Sequence, residues 1–215
     1  LSDGTTTPSA TNHWNGSKYD LNPAASGPWT ELGAQELHPN GTNSAPNQEQ
    51  WVVRRYVAND ITTTTPLALD WHARKVNANG AGVTGKLFIN GVEVGSRAIA
   101  GNSSAGFNSR YYVNANPGDV IDLALTPVGP TGDTADGSDG SATRLTVRDN
   151  LPDGPLFTTT GQVIADSVAE FSGIQGQSNW FYGYYDLRND ATTGDSQYSG
   201  SEFTPFRTDG TSSVT

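Results

Sequence analysis

Apolar and polar residues alternate in several short runs of the chain, and clusters of Gly, Pro, Asn and Asp separate these runs. In LALDWHAR (67–74), one side of the alternating pattern carries Leu67, Leu69, Trp71 and Ala73. A period of two residues is typical of a β-strand that buries one face. Strands are also predicted in WVVRRYVA (51–58), in the second part of NPGDVIDLALTP (116–127) and in TRLTVRD (143–149).

The segment GKLFINGVEVGS (85–96) carries the clearest local signal in the chain. Two apolar runs are separated by Asn90-Gly91. This dipeptide accepts the positive φ angles of a type I′ turn, because Gly has no Cβ and Asn tolerates the left-handed region. The sequence therefore predicts a β-hairpin here.

Helical periodicity is almost missing. Only WTELGAQEL (29–37) could form a turn or two of helix. Many short strands separated by turn residues predict an all-β fold with almost no helix, an antiparallel β-sandwich that is jelly-roll-like. Long polar connections, 9–48 and 127–142, would cross its surface or edges. The expected core includes Trp51, Trp71, Phe88, Ile89, Val113, Ile121, Leu123, Leu145 and Val147.

The net charge of the chain limits the classes of partner that it can be expected to bind. The 215 residues carry a formal net charge of −10, and the twelve Lys and Arg are scattered. No basic face can be expected from them, which argues against nucleic acid and anionic membranes as partners. No run approaches the eighteen or more apolar residues of a membrane span, so no membrane insertion is expected.

Cysteine is absent, which removes disulfides, thiolate chemistry and cysteine-based metal sites. An acidic composition rich in Gly, Thr, Asn and Ser fits bacterial secreted and surface proteins, so we expect an extracellular or cell-surface location. An ordinary cytosolic protein without cysteine is the alternative. The chain begins at Leu1 without Met or a signal peptide, and therefore looks processed or excised.

Five aromatic rings crowd into six positions of QGQSNWFYGYYD (175–186). Strand alternation places Trp180, Tyr182 and Tyr184 on one face. It places Phe181 and Tyr185 on the other face once Gly183 bends or bulges the strand. One interpretation is that a face belongs to the core. The other is that exposed rings stack on sugar faces. The candidate carbohydrate-binding residues are Trp14, Trp29, Trp180, Tyr182 and Tyr184, with Trp14 and Trp29 the better candidates.

The loop PTGDTADGSDGSATR (130–144) is the candidate metal site. Asp133, Asp136 and Asp139 lie among glycines, and a flexible acidic loop can supply the six to eight oxygens that calcium requires. The carboxylates recur every third residue, whereas an EF-hand loop needs every second. A solvated turn is the alternative. A second, weaker loop is YDLRNDATTGDSQY (185–198).

Signatures of catalysis are missing. His13, His38 and His72 show no ligand-like spacing, and no GxSxG, GxGxxG or P-loop motif occurs. Paired carboxylates for glycoside hydrolysis have no fixed spacing, but the six Glu sit in no recognisable signature. Arg54 and Arg55 would alternate faces of a strand, where one of them could pair with a carboxylate. We therefore expect no enzyme.

A string of motifs resembles a recurrent module of large secreted or surface proteins of environmental bacteria. It comprises NHWNGSKYD (12–20), GPWTEL (27–32), HPNG (38–41), WVVRRYV (51–57), GVTGKLFINGVEVGSRAIAG (82–101), QGQSNWFYGYYD (175–186) and SEFTPF (201–206). Such modules often stand beside sorting signals or polysaccharide-acting domains. The second half of the family's module resembles β-sandwiches appended to carbohydrate-active enzymes.

The order of these motifs departs from the family. There, the WFYGYYD…FTPF segment opens the module, whereas here it lies at 156–215 and the remainder at 1–150. The resemblance thus implies a circular permutation, or one period of a repeating array. We expect 1–150 to form the main sandwich body and 151–215 to complete the same sandwich or that of a neighbouring copy.

These expectations converge on a non-catalytic extracellular structural or assembly module of a surface repeat protein or filament, joined to other copies head to tail by strand donation. The alternative function is a carbohydrate-binding module that takes a polysaccharide. A polysaccharide-acting enzyme of sandwich architecture is a third hypothesis, which the absent signatures disfavour.

Overall fold

The computed structural model describes residues 12–22, 27–149, 161–190 and 197–208. In these ranges the regular structure is almost all β, and the only helical segments are three short 3₁₀ turns. The strands are β1 (Lys18–Asp20), β2 (Glu31–Gly33), β3 (Glu36–His38), β4 (Gln50–Val57), β5 (Thr65–Lys75), β6 (Gly82–Ile89), β7 (Val92–Ala100), β8 (Phe107–Ala115), β9 (Val120–Thr126), β10 (Ser141–Asp149), β11 (Gln162–Asp166), β12 (Trp180–Asp186) and β13 (Thr204–Pro205). The 3₁₀ turns are Gln177–Asn179, Leu187–Asn189 and Gly200–Glu202.

Two antiparallel sheets pack face to face. The first runs β1-β2-β3-β10-β5-β8, with β11 also paired to β10, and the second runs β13-β12-β4-β9-β6-β7. From β4 to β10 the chain crosses repeatedly between them, so that β3-β10-β5-β8 faces β4-β9-β6-β7. This exchange is the topology of a jelly roll. The predicted all-β, jelly-roll-like sandwich is confirmed.

Strand β10 has two partners along one edge. Its start pairs with β3 at Ser141, and its end pairs with β11 from Thr146 onward. Strand β11 therefore completes the first sheet, while β12 and β13 extend the second. As far as it is described, the C-terminal segment contributes one strand to the first sheet and two strands to the second.

The core lies between the sheets and follows the predicted alternation. Leu67, Leu69, Trp71 and Ala73 are all buried. Of the nine predicted core residues, Ile89 and Val113 are partly buried against the core. Five others are buried between the sheets: Trp71, Ile121, Leu123, Leu145 and Val147. The last two, Trp51 and Phe88, are buried in a second apolar cluster.

The turn between β6 and β7 forms at the predicted dipeptide. Asn90 and Gly91 have φ angles of 50° and 79°. Both are positive, as a type I′ turn requires. The hairpin prediction is confirmed.

The segment 29–37 forms no helix. It folds into the two short strands β2 and β3, in which Leu32 pairs opposite Leu37 and both side chains are buried. Pairing brings both leucines onto the core face, and this tertiary packing outweighs the weak local helical pattern.

The two ends of the described chain meet. The His13 backbone N–H donates to the Arg207 carbonyl (2.9 Å), and the Arg207 N–H donates to His13 Nδ1 (3.0 Å). This pair joins residues that are 194 positions apart. Residues 1–11 and 209–215 lie outside the described residues.

We expect acid to weaken this closure. Burial, and then the charge of Arg207, lower the pKa of His13, and burial lowers that of His38. The unfolded chain, with histidine pKa near ~6.5, then binds more protons than the folded chain. The free energy of unfolding should therefore fall as pH drops below about 6.5.

The measurement is urea unfolding between pH 5 and 8 for the wild type and for His13→Asn. Asparagine can place an oxygen near the Nδ1 position and accept from Arg207 without titrating. We expect the variant to lose part of the slope in this range. An unchanged slope would show that His13 does not contribute to the pH dependence.

Candidate functional site

The aromatic strand β12 divides its rings between two faces. Trp180 and Tyr182 are fully buried between the sheets, with ring centroids 5.2 Å from Tyr56 and 5.4 Å from Tyr19, respectively. The Trp180 indole N–H donates to Glu170 (2.8 Å). Neither ring has a surface on which a sugar could stack, so both belong to the core, as one of the two interpretations expected.

The outer side of β12 carries Phe181 and Tyr185. Tyr185 packs 5.0 Å from Trp51 and 5.3 Å from Tyr198, in a second apolar cluster that 197–206 helps to cover. The predicted alternation is confirmed, but no bulge is needed, because β12 pairs with β4 in continuous register. Gly183 has another role. A Cβ there would lie 2.6 Å from the Phe203 ring and 2.3 Å from the Thr204 carbonyl oxygen.

The three remaining candidate rings differ in exposure. Trp14 packs against the core 5.0 Å from Tyr19, and Tyr184 lies 5.5 Å from Phe206. Trp29 is 41% exposed, and its indole N–H donates to Ser44 (3.1 Å). Of the five predicted carbohydrate-binding residues, Trp29 is the most exposed.

The three aspartates of the predicted calcium loop have separate roles. Asp136 is buried and accepts hydrogen bonds from the Gly41 backbone (2.9 Å) and the Ser44 hydroxyl (2.8 Å). Asp133 is exposed and accepts from the Ala135 N–H (2.9 Å). The described residues contain no group of three or more His, Cys, Asp or Glu positioned to hold a metal ion. Calcium at this loop stays a prediction without a carboxylate cluster to support it.

Asp139 forms a buried ion pair. Lys75 Nζ lies 3.1 Å from Asp139 Oδ1, and both side chains are fully buried. Nζ also donates to the Ser138 carbonyl (2.7 Å), whereas Asp139 Oδ2 has no hydrogen-bond partner. Burial raises the pKa of Asp139 to about 6, although Lys75 opposes this shift. The pair ties strand β5 to the loop before β10.

Arg54 and Arg55 project to opposite faces, as predicted. Arg55 donates twice to Asp122 at 2.8 Å, which is the expected pairing with a carboxylate. Arg54 is buried and donates only to neutral groups: the Thr143 hydroxyl and the carbonyls of Ser167 and Gly33. Burial lowers its pKa to about 10.

These acceptors lie where β3 and β11 meet along β10. The buried guanidinium therefore links the two sheets at a gap in the strand ladder. This structural role accounts for Arg54 without a ligand.

A polar groove of about 490 Å³ lies across the outer face of the first sheet. Strands β5, β8, β10 and β11 form its floor. We call it the arginine groove, because three guanidinium groups line it with two carboxylates: Arg110, Arg144 and Arg148 with Asp70 and Asp166.

Asp70 is the centre of the arginine groove. It lies opposite Arg110 on β8, and the Arg110 Nη2 and Arg148 Nε atoms each donate to it at 2.8 Å. Partial burial acts to raise the pKa of Asp70, but these two hydrogen bonds hold it below its usual value. On the next part of β10, Arg144 Nε donates to Asp166 at 3.1 Å.

His72 also lines the groove. Its Nδ1 lies 2.9 Å from the Phe107 carbonyl oxygen. A carbonyl only accepts, so this contact assigns the proton of the neutral ring to Nδ1 and leaves Nε2 as an acceptor.

Sequence reasoning missed this site. The signal is present in the alternation of β5 and β10, because Asp70, Arg144 and Arg148 each follow a buried residue and share the outward face. The contribution of Arg110 from β8 and Asp166 from β11 depends on strand order, which no local pattern supplies.

Comparison with family models, with curated proteins and with solved structures finds no match to this chain. No helix among the described residues is long and apolar enough to span a membrane.

Proposed function

We propose that the chain is a non-catalytic structural module of an extracellular bacterial surface protein. The observation that carries the proposal is the meeting of the described ends through His13 and Arg207. A sandwich that closes on itself leaves its two connections side by side, so that it can be placed in a longer chain without disturbing its core. The resemblance to surface-protein modules supports the same role.

Strand donation to a neighbouring copy is the alternative way to complete this sandwich. Strands β10 and β11 pair antiparallel from Thr146 to Asp149, with only residues 150–161 between them. A connection of this length closes within one chain without a partner, and intramolecular closure is favoured at ordinary protein concentrations. We therefore propose a self-contained module.

Light scattering over a wide concentration range tests this proposal. We expect a monomer whose urea midpoint does not depend on concentration. A dimer or longer assembly, with a midpoint that rises with concentration, would show instead that 151–215 completes a neighbouring copy.

Polysaccharide binding is the second candidate function. The open arginine groove and the exposed ring of Trp29 favour it, since sugar sites combine polar side chains with aromatic faces. Affinity electrophoresis of the wild type and Trp29→Ala in gels containing neutral and acidic polysaccharides is the test. No retardation by any polysaccharide would reject this function.

A further inference from the structure

The arginine groove contrasts with the rest of the protein. The chain has a net charge of −10, yet the charged residues lining this groove are three arginines and two aspartates. A local excess of positive charge on an acidic protein favours an anionic ligand at this place. The same acidic surroundings disfavour a long polyanion such as nucleic acid, which would extend beyond the groove.

The guanidinium groups are held in position before any ligand arrives. Asp70 fixes both Arg110 and Arg148, and Asp166 fixes Arg144. An arginine whose rotamer is already fixed loses less conformational entropy on binding. Such orientation by a supporting carboxylate is what a rigid recognition site needs.

Some guanidinium N–H donors of the arginine groove remain available to a ligand. In the described part of the chain, Arg148 uses only Nε, so both of its terminal nitrogens are without a protein acceptor, and Arg144 Nη1 is in the same state. The planar fork of arginine matches the paired oxygens of a carboxylate or sulfate.

The spacing of these groups indicates a polymer. Arg144 and Arg148 lie four positions apart on β10, which separates them by roughly 13 Å at ~3.3 Å per residue, and each is held by a different carboxylate. One small anion cannot contact both of them, whereas a chain with repeated anionic groups can. Asn108, Thr146 and His72 add neutral polar groups for hydroxyls.

We infer that the arginine groove binds an acidic polysaccharide, one that carries carboxylate or sulfate groups on its sugar units. This inference rests on the second candidate function, polysaccharide binding, and names its ligand class and its site. Recognition is by ion pairs and hydrogen bonds, because none of the residues lining the groove presents an exposed aromatic ring.

The experiment is affinity electrophoresis and calorimetry at low and high salt. The probes are polygalacturonate, dextran sulfate, neutral dextran and an oligodeoxythymidylate. We expect at least one of the two acidic polysaccharides to bind, with an affinity that falls as salt rises. Neutral dextran and the oligonucleotide should not bind.

Two variants locate the site. Arg148→Gln removes the guanidinium with the unused donors, while Arg110 still pairs with Asp70, and it should weaken binding by about tenfold or more. Arg97→Gln is the matched control, because it removes the same charge from an exposed position on β7. It should change the affinity by less than about twofold.

Asn108→Asp is the second variant, and it decides the question if Arg148→Gln does not fold. Asn108 is exposed in the groove and takes part in no ion pair, so the added negative charge should weaken binding about fivefold. Asn102→Asp, at an exposed turn outside the groove, is its control.

Several results would overturn the inference. Equal effects of the groove variants and their controls would place the anion elsewhere, and binding of the oligonucleotide would show a general polyanion site. If neutral dextran is retained and only Trp29→Ala abolishes this, polysaccharide binding stands and the groove assignment fails. If no polysaccharide is retained, both fail together.

Discussion

A chain that ends at Pro155 should not fold. The truncation removes β11, β12 and β13, and with them the buried rings of Trp180, Tyr182 and Phe206. Truncating a single large buried aromatic residue costs about 3–5 kcal/mol. Three such losses match or exceed the whole stability of an ordinary domain, about 5–15 kcal/mol.

Circular dichroism and urea unfolding of 1–155 provide the measurement. We expect no cooperative transition, and recovery of one when a peptide spanning 156–215 is added. A truncated chain that unfolds cooperatively on its own would show that the second segment is an accessory.

Strand β12 supplies matched single variants for the same question. Trp180→Ala, on the core face, should lower the free energy of unfolding by about 3–5 kcal/mol. Phe181→Ala, one position away on the outer face and only partly buried, should cost clearly less. Equal losses would contradict the assignment of the two faces.

The strands were predictable because their signals are local. Alternation in 67–74 fixes which side chains point inward, and the Asn90-Gly91 dipeptide fixes a turn by its own φ preferences. The segment 29–37 shows the limit of this approach. Its two short strands exist because Leu32 and Leu37 pack into a core made by distant residues.

Side-chain roles depended on partners far along the chain. Alternation separated Arg54 from Arg55, but the burial of Arg54 depends on acceptors at Gly33 and Ser167, which are 21 and 113 residues away. Asp136 likewise bonds to Gly41, 95 residues away. The sequence of the acidic loop shows its carboxylates, but it does not show the distant groups that donate hydrogen bonds to them.

The arginine groove likewise depends on contacts between residues that are far apart in the sequence. Asp70 and Arg148 were visible as outward positions of two predicted strands, but their contact requires β5 and β10 to be neighbours. Strand order follows from the jelly-roll path of the whole chain. The residues could be proposed from the sequence, while the site could not.

The second large effect is expected at the buried ion pair. Lys75→Met leaves Asp139 as a buried carboxylate with no cation and with no hydrogen-bond partner on Oδ2. Removing one member of a buried pair is expected to cost about 3–5 kcal/mol, because the remaining charge stays desolvated. Urea unfolding at constant pH measures this loss as a shift of the midpoint.

Two controls separate this effect from ordinary surface changes. Lys86→Met breaks the more exposed pair with Glu93 and should cost no more than about 1 kcal/mol. The double variant Lys75→Met/Asp139→Asn removes both charges and should recover most of the stability lost by Lys75→Met. A double variant as unstable as the single one would show that the loss comes from packing.

The pH dependence gives an independent check on the same carboxyl group. Burial already raises the pKa of Asp139 to about 6, and loss of the Lys75 charge should raise it further. The folded variant then binds a proton that the unfolded chain, with an aspartate pKa near ~3.9, has released. Because the folded state holds the extra proton, its stability falls as pH rises. The loss caused by Lys75→Met should therefore be smaller at pH 5 than at pH 8, and a loss that is equal at both would mean that Asp139 is not the group left uncompensated.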